Sequence, residues 1–182
     1  MAEIVTFSKS IKRYAPLRKV GLDTDICLCW MDEENYTDYQ PKICKGSTLF
    51  INYKVFSELM GLKRSSFKTE DDTRKEIFDF LRRHKITLLK KSEIDNIKVQ
   101  QSYEELKRQN FKGMPGNEDL EIIAIFKAAG IDCIFSNNAR HFEEPCNYLK
   151  ISFERPFMIK VGSNIDVNNM LKRLYRFKKK KY

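Results

Sequence analysis

Acidic residues stand inside apolar segments of this chain, where carboxylates are uncommon. Asp23 and Asp25 interrupt the segment GLDTDICLCW, Glu58 lies in VFSELMG, and Asp119 opens DLEIIAIFKAAG. A buried carboxylate is unfavourable unless a cation, a hydrogen-bond network or solvent receives it. Carboxylates that gather repel one another unless a divalent cation joins them, and Mg²⁺ and Mn²⁺ prefer such hard oxygen ligands. The acids therefore predict a cation site that could bind a phosphodiester.

Each of these acids also has an ordinary structural explanation. Asp23 or Asp25 could cap the turn or helix that follows the strand. Glu58 could be an exposed carboxylate on a helix. The acids of the segment NEDLE suit the N-terminus of a helix, where the helix dipole alone favours them. Spacing in isolation therefore leaves a structural role and a functional role open for each residue.

Short apolar strands and longer amphipathic helices alternate along the chain, which predicts an α/β fold. Strands are predicted in KVGLDTDICLCW, KITLLK, IDCIFSN and YLKISF. The segment LFINYKVFSELMG is predicted to be a short strand or turn that enters a helix ending at Gly61. The β-branched and leucine content of KITLLK favours an interior position in the sheet.

Three further helices are predicted. TEDDTRKEIFDFLRRH has an acidic first turn and a basic last turn, the order that the helix dipole favours. The second runs from about Ser92 to Asn110, and the third has Asn117 as N-cap and Gly130 at its end. The inward stripe of the third helix is predicted to contain Leu120, Ile123, Ala124 and Lys127.

The predicted elements place three acids at one end of a sheet. Helices between strands favour a central, mostly parallel sheet flanked by helices, and such sheets bind ligands at the carboxyl ends of their strands. Asp23 lies near the end of its strand, Glu58 lies in a helix soon after, and Asp119 opens another helix. We therefore expect these three side chains to project toward the same edge.

Length and composition fit one soluble globular domain with a small extension. The chain has 182 residues, 42% of them hydrophobic, and no apolar run reaches the roughly 18 residues that a membrane span needs. The N-terminal segment MAEIVTFSKSIKRY lacks the apolar core of a secretory signal and is predicted to form an extra strand or arm. Five cysteines without CxxC spacing indicate reduced thiols and a cytoplasmic location, with Cys27, Cys29 and Cys133 acting as small hydrophobic residues.

The C-terminal segment LKRLYRFKKKKY carries much of the net charge of +9. Basic residues interleaved with Tyr175 and Phe177 suit phosphate neutralisation and base stacking, and therefore RNA or DNA. A solvated tail that touches any polyanion is the alternative. The seven bases of the segment are Lys172, Arg173, Arg176, Lys178, Lys179, Lys180 and Lys181.

The order of these motifs resembles the PIN-domain nucleases, a family that includes the VapC-like toxin ribonucleases and related RNA-processing proteins. GLDTDIC is similar to the family's opening motif, an apolar strand ending in Asp-Thr-Asn or a close variant, and KVFSELMG is similar to its helical glutamate. DLEIIAIFKAAGIDCIFSNNARHF matches the family's order of acid, Ile/Ala-rich helix, glycine, strand, hydroxyl residue, polar pair and phenylalanine. YLKISFERP resembles the last strand and the proline after it.

The resemblance covers residues 18–157 and implies an α/β PIN-like domain between an N-terminal arm (1–17) and an extension with the basic tail (158–182). It implies a divalent-metal-dependent endoribonuclease in which Asp23, Glu58 and Asp119 bind Mg²⁺ or Mn²⁺. Ser136 would hold the metal's water or an acidic neighbour. An activated water would attack the phosphorus of RNA in line, leaving a 5′-phosphate and a 3′-hydroxyl.

Asn138 stands where many family members carry a fourth acid, and the neighbouring Asn137 is uncharged as well. Three explanations are open: a single well-held metal ion, a substitute acid, or lost catalysis with retained binding. Arg140 is predicted to contact a phosphate, whereas His141 would contact a phosphate, donate a proton or simply pack. The candidate substitute acids are Glu118, Glu121 and Asp25.

Two rival functions follow from the same residues. A catalytically decayed PIN-like module would bind RNA or a protein partner, with the tail doing the binding. A flap-cleaving DNA nuclease would need more acids than the chain supplies. The resemblance also allows an antitoxin or other protein partner and a homodimer, and the sequence itself specifies neither.

Overall fold

The computed structural model describes residues 18–34, 47–63 and 68–155. The predicted arm (1–17) and extension (158–182) lie outside the described residues. The strands are β1 (Lys19–Leu22), β2 (Thr48–Asn52), β3 (Ile86–Leu89), β4 (Cys133–Phe135) and β5 (Ser152–Glu154). The α-helices are α1 (Thr24–Glu34), α2 (Tyr53–Lys63), α3 (Glu70–Arg83), α4 (Asn96–Lys107), α5 (Asn117–Ala128) and α6 (Ala139–Tyr148), and a short 3₁₀-helix spans Lys91–Glu93.

The strands form one sheet with the order β3-β2-β1-β4-β5. β1 lies at the centre, where Val20 is aligned with Leu49 of β2 on one side and with Cys133 of β4 on the other. All four strand pairs are parallel, so each connection must cross over the sheet. The predicted α/β fold with a parallel sheet flanked by helices is confirmed.

The position predicted for KITLLK is wrong, because β3 is an edge strand of the described sheet and pairs with β2. Ile86 is buried, whereas Thr87 is exposed and Leu88 is half-buried. The apolar residues of β3 pack into or against the hydrophobic core at the edge of the sheet. Apolar and β-branched content indicates a strand, but it does not distinguish an interior strand from an edge strand.

The first predicted strand is shorter than its sequence suggests. β1 ends at Leu22, and the apolar residues ICLCW belong to α1. The chain changes direction at Asp23, whose N–H donates to the Phe135 carbonyl (2.9 Å) and whose carbonyl accepts the Cys27 N–H (3.2 Å) as a first helical bond. Residues 26–31 of α1 are all buried. A helix that is apolar all round lacks the amphipathic period that would have identified it.

α5 is buried over most of its surface rather than along one stripe. It begins one residue earlier than predicted, with Gly116 as N-cap, and ends where Gly130 adopts a φ of 68°. Two hydrophobic clusters share the helix: Phe126 packs into the main core with strand residues, and Ile125 packs against α4 residues. Lys127, predicted on the inward stripe, is exposed.

β1 and α5 approach each other closely at Gly21. A Cβ atom placed on Gly21 would lie 2.8 Å from the ring of Phe126, which is fully buried. A larger residue at this position would have to displace the ring. Gly21 therefore allows the close approach of α5 to the central strand.

The other helices differ from their predicted bounds in smaller ways. α2 runs to Lys63, past the predicted end at Gly61, and α4 begins at Asn96 after the 3₁₀-helix. α6 was not predicted, because it contains Pro145, which ordinarily breaks a helix. The strand predicted in YLKISF begins only at Ser152.

Four cysteines are free and buried: Cys27, Cys29, Cys133 and Cys146. Burial raises the pKa of the Cys133 thiol to about 12, so this group stays protonated at neutral pH and behaves as a small hydrophobic residue. Cys44 lies outside the described residues. None of the helices in residues 18–34, 47–63 and 68–155 combines the length and the apolar character that a membrane span needs.

Candidate active site

Asp23 lies at the carboxyl end of the central strand and is only 4% exposed. The Thr24 backbone N–H donates to its Oδ1 (2.7 Å), and the Ser136 hydroxyl donates to its Oδ2 (2.7 Å). Ser136 follows the neighbouring strand β4, and its hydroxyl accepts the Asn138 N–H (3.0 Å). Because both carboxylate oxygens are hydrogen-bonded, the direction of the Asp23 side chain is fixed.

Thr24 connects Asp23 to a second acid, Glu58. The Thr24 hydroxyl, at the start of α1, donates to Glu58 Oε2 (2.6 Å) in α2. One buried residue therefore holds both acids, Asp23 through its backbone and Glu58 through its side chain. Sequence reasoning named the acids and missed Thr24. The available signal was a hydroxyl residue between two acids at the end of an apolar strand.

Asp119 lies in the first turn of α5 and is 6% exposed. Its Oδ2 accepts the backbone N–H of Gly116 (3.2 Å), as an acid in the first turn of a helix commonly does. His141 in α6 brings its Nδ1 within 2.9 Å of the same oxygen. The tautomer of His141 that carries its proton on Nδ1 would donate a hydrogen bond to this oxygen. The pairing of His141 with Asp119 was not predicted from the sequence.

The acids considered as substitutes at position 138 have other contacts. Asp25 Oδ2 accepts the Asn137 backbone N–H (3.0 Å) and so holds the turn before α6. Glu121 forms an ion pair with Lys54 (2.8 Å), and its hydrogen bond raises the pKa of the Lys54 ammonium. Glu118 is exposed at the start of α5. Two of the three candidates therefore already bind groups of the protein itself.

The predicted nucleic-acid contacts are only partly described. Asn138 precedes α6, and Arg140 is exposed in the first turn of that helix. The seven bases of the C-terminal tail lie outside the described residues.

The three predicted metal ligands suit a hard divalent cation in kind, because Mg²⁺ and Mn²⁺ prefer carboxylate oxygens. Asp23 and Glu58 are both hydrogen-bonded to Thr24, whereas Asp119 contacts His141. In the part of the chain that the structure describes, no three acidic, histidine or cysteine side chains lie close enough together to hold a metal ion as they stand. The ligand types fit, and the convergence of all three acids stays a prediction.

Solved structures of bacterial VapBC complexes contain chains with a similar fold. VapBC2 from Rickettsia felis, bound to a DNA fragment from its promoter, matches with 22% identity and a TM-score of 0.57 over 75% of this chain and 98% of that chain. DNA-bound VapBC from Salmonella typhimurium matches with 22% identity and a TM-score of 0.56 over 77% and 99%. VapBC-1 from nontypeable Haemophilus influenzae matches with 18% identity and a TM-score of 0.52 over 75% and 97%.

These matches define the fold class. The chain has the five-stranded parallel sheet and flanking helices of a PIN domain, and it covers nearly the whole of each matched chain. No protein-family model matches the sequence, and no curated protein matches it. The resemblance predicted from the sequence is confirmed by structure: the fold is that of a VapC-like PIN domain.

Proposed function

We propose that this protein is a divalent-metal-dependent endoribonuclease. The observation that carries the proposal is the state of Asp23, a buried carboxylate at the carboxyl end of the central strand with both oxygens fixed by Thr24 and Ser136. Glu58 is bound to the same threonine. Buried and oriented acids at the ligand-binding edge of a parallel sheet are typical of a functional site. The VapC-like fold supports the same function.

Asp23, Glu58 and Asp119 are the residues that would hold Mg²⁺ or Mn²⁺. Such a cation, when bound, activates water and neutralises charge that develops on the phosphate. Ser136 and Thr24 keep the Asp23 carboxylate in one orientation, so that no reorganisation is needed during the reaction. In the hydrolysis, the water oxygen bonds to phosphorus, the bond from phosphorus to the 3′-oxygen breaks, and that oxygen takes a proton. The products are a 5′-phosphate and a 3′-hydroxyl.

Asn138 favours a site with a single well-held cation. An asparagine carbonyl can contact a cation or its water, but it supplies one negative charge fewer than the acid that many family members carry there. Glu121 already pairs with the Lys54 ammonium, so it is not our first choice as a replacement ligand. With one negative charge fewer, binding of the cation depends more on the orientation of the remaining acids.

RNA is the proposed substrate, and basic residues would bind its phosphates. Arg140, exposed beside Asn138 at the start of α6, is the proposed contact within the domain. The basic tail would add affinity that is independent of sequence and falls steeply with salt. An antitoxin or other protein partner, a homodimer and a cytoplasmic location are further proposals.

Cleavage of labelled single-stranded and structured RNA in Mn²⁺, Mg²⁺ or chelator tests the ribonuclease proposal. We expect metal-dependent cleavage that Asp23→Asn abolishes while circular dichroism shows an unchanged fold. The matched control is Asp79→Asn, which alters an α3 acid whose contact is the exposed Arg82 (2.6 Å). Metal-dependent cleavage that persists in Asp23→Asn would contradict the assignment of this residue.

The second candidate function is a PIN-like module that binds RNA or a protein partner without cleaving. The observation that favours it is Asn138, which replaces an acid of the resembled family. This candidate predicts RNA affinity that is insensitive to Mg²⁺ and to Asp23→Asn but is lost when residues 172–182 are deleted. Tight, salt-sensitive binding without cleavage under any metal would replace the ribonuclease proposal.

A further inference from the structure

The contact between His141 and Asp119 exceeds what the start of a helix requires. The Gly116 N–H already donates to Asp119 Oδ2 (3.2 Å), which is the bond that an acid in the first turn commonly makes. His141 comes from a different helix and places its Nδ1 2.9 Å from the same oxygen. The start of α5 does not need this second contact. We therefore look for its role in the orientation of the Asp119 carboxylate.

Two other contacts brace α6 against the loop that leads into α5. Glu144 of α6 accepts the backbone N–H of Lys112 (2.8 Å). Gly113 lies so close to α6 that an added Cβ atom would overlap the carbonyl oxygen of Arg140. The loop therefore contacts α6 both before and after His141 in the sequence, at Arg140 and at Glu144. These contacts hold the backbone that carries His141 beside the loop that leads into α5.

We propose that His141 is a positioning residue for Asp119. The Nδ1–H of His141 and the N–H of Gly116 fix the carboxylate through Oδ2, so that its orientation is set before the divalent cation binds. The inference rests on the proposed function. Outer partners of metal ligands set ligand orientation, and their loss typically costs about 10- to 100-fold in metal affinity or activity.

Two amide substitutions separate the two nitrogens of His141. In His141→Asn the side-chain amide nitrogen occupies nearly the position of Nδ1 and can donate to Asp119. In His141→Gln the amide nitrogen lies nearer the position of Nε2. The Mn²⁺ affinity is measured from the electron paramagnetic resonance signal of free Mn²⁺, and kcat and KM are measured for RNA cleavage. Thermal unfolding in chelator establishes that both variants fold.

We expect His141→Asn to keep the Mn²⁺ affinity within about threefold of wild type and His141→Gln to lose about 10- to 100-fold, the cost of a missing outer partner. The loss in cleavage should appear in kcat at saturating RNA rather than in KM. The opposite order of the two variants would assign the role to Nε2 and overturn the proposal. Tighter Mn²⁺ binding in His141→Gln would overturn it too, because His141 would then compete with the cation for Asp119.

The wild-type protein offers a test that needs no substitution. Long-range ¹H–¹⁵N correlations of the imidazole in chelator should show a proton on Nδ1, and a proton on Nε2 alone would overturn the proposal. Failure of the wild-type protein to bind Mn²⁺ would overturn the proposed function and this inference together. Equal affinities for both variants, beside a wild-type protein that binds Mn²⁺, would overturn this inference alone.

Discussion

Two helices of this protein begin with the same hydrogen bond in different surroundings. In α3, Asp72 Oδ2 accepts the backbone N–H of Thr69 (3.1 Å), and in α5, Asp119 Oδ2 accepts that of Gly116 (3.2 Å). Asp72 is exposed and also accepts the hydroxyl of Thr69 (2.7 Å), a residue only three positions away. Asp119 is buried and is contacted by His141 from another helix.

The comparison distinguishes an acid that only caps its own helix from an acid that belongs to a candidate functional site. A capping acid needs neighbours within one turn and tolerates full exposure, because its free energy comes from local backbone groups and the helix dipole. Burial of a carboxylate beside a partner from a distant element has a cost that capping does not require. We therefore take burial and a distant partner, rather than position in the first turn, as the marks of a candidate functional acid.

The largest expected effect comes from neutralising Asp119, with the neutralisation of Asp72 as the comparison. Asp119→Asn should lower RNA cleavage by roughly 100-fold or more, because losing a metal ligand should cost at least as much as losing one of its outer partners. Asp72→Asn should leave kcat/KM unchanged. Cleavage of a labelled RNA in Mn²⁺, with circular dichroism as a check on folding, compares the two variants. Similar activities for the two variants would make Asp119 an ordinary capping residue.

A second comparison uses a buried threonine near each helix start. Thr24→Val removes the hydroxyl that binds Glu58, and Thr73→Val removes a hydroxyl that donates to the Thr69 carbonyl in α3 (3.0 Å). Both should lower the free energy of unfolding by about 1 kcal/mol, measured by urea denaturation. Only Thr24→Val should also lower cleavage, by about 10- to 100-fold, because it frees a candidate ligand from its outer partner. A parallel loss of activity in Thr73→Val would point to stability as the cause.

The smallest effect concerns the cap of α3 alone. The hydroxyl of Thr69 holds the pKa of Asp72 below its usual range, so this stabilisation is complete above the ordinary aspartate pKa of about 3.9 and is lost as pH falls through the lower pKa of the folded state. Thr69→Ala should lower Tm at neutral pH, and its difference from wild type should narrow in acid. RNA cleavage at neutral pH should not change. A difference in Tm that persists at low pH would show that the cap acts without the charge of Asp72.

Most of the fold could be predicted because its strands and helices differ in their apolar period. Two elements escaped this signal for opposite reasons. α1 is buried on so many sides that its first half resembles a strand, and α6 contains Pro145. The edge position of β3 was not predicted either, because an edge strand that packs partly against the core can also carry apolar residues.

The candidate site could be predicted only as a set of acids. Asp23, Glu58 and Asp119 stand out because carboxylates are rare in apolar segments. Their partners do not stand out, because Thr24 and Glu58 are 34 positions apart in the chain, and His141 is 22 positions from Asp119. A single sequence holds no record of which distant residues meet, so these hydrogen bonds had to come from the structure.

Gly21 lies where the strand that leads to Asp23 packs against α5, the helix that carries Asp119. Asp23 follows Gly21 by two residues on the chain, and Asp119 precedes Phe126 by about two turns of α5. The ring of Phe126 rests where a side chain at position 21 would stand. A methyl group added there would meet that ring and disturb the packing between the strand that leads to Asp23 and the helix that carries Asp119. Position 21 therefore constrains the candidate site although it bears no reactive group.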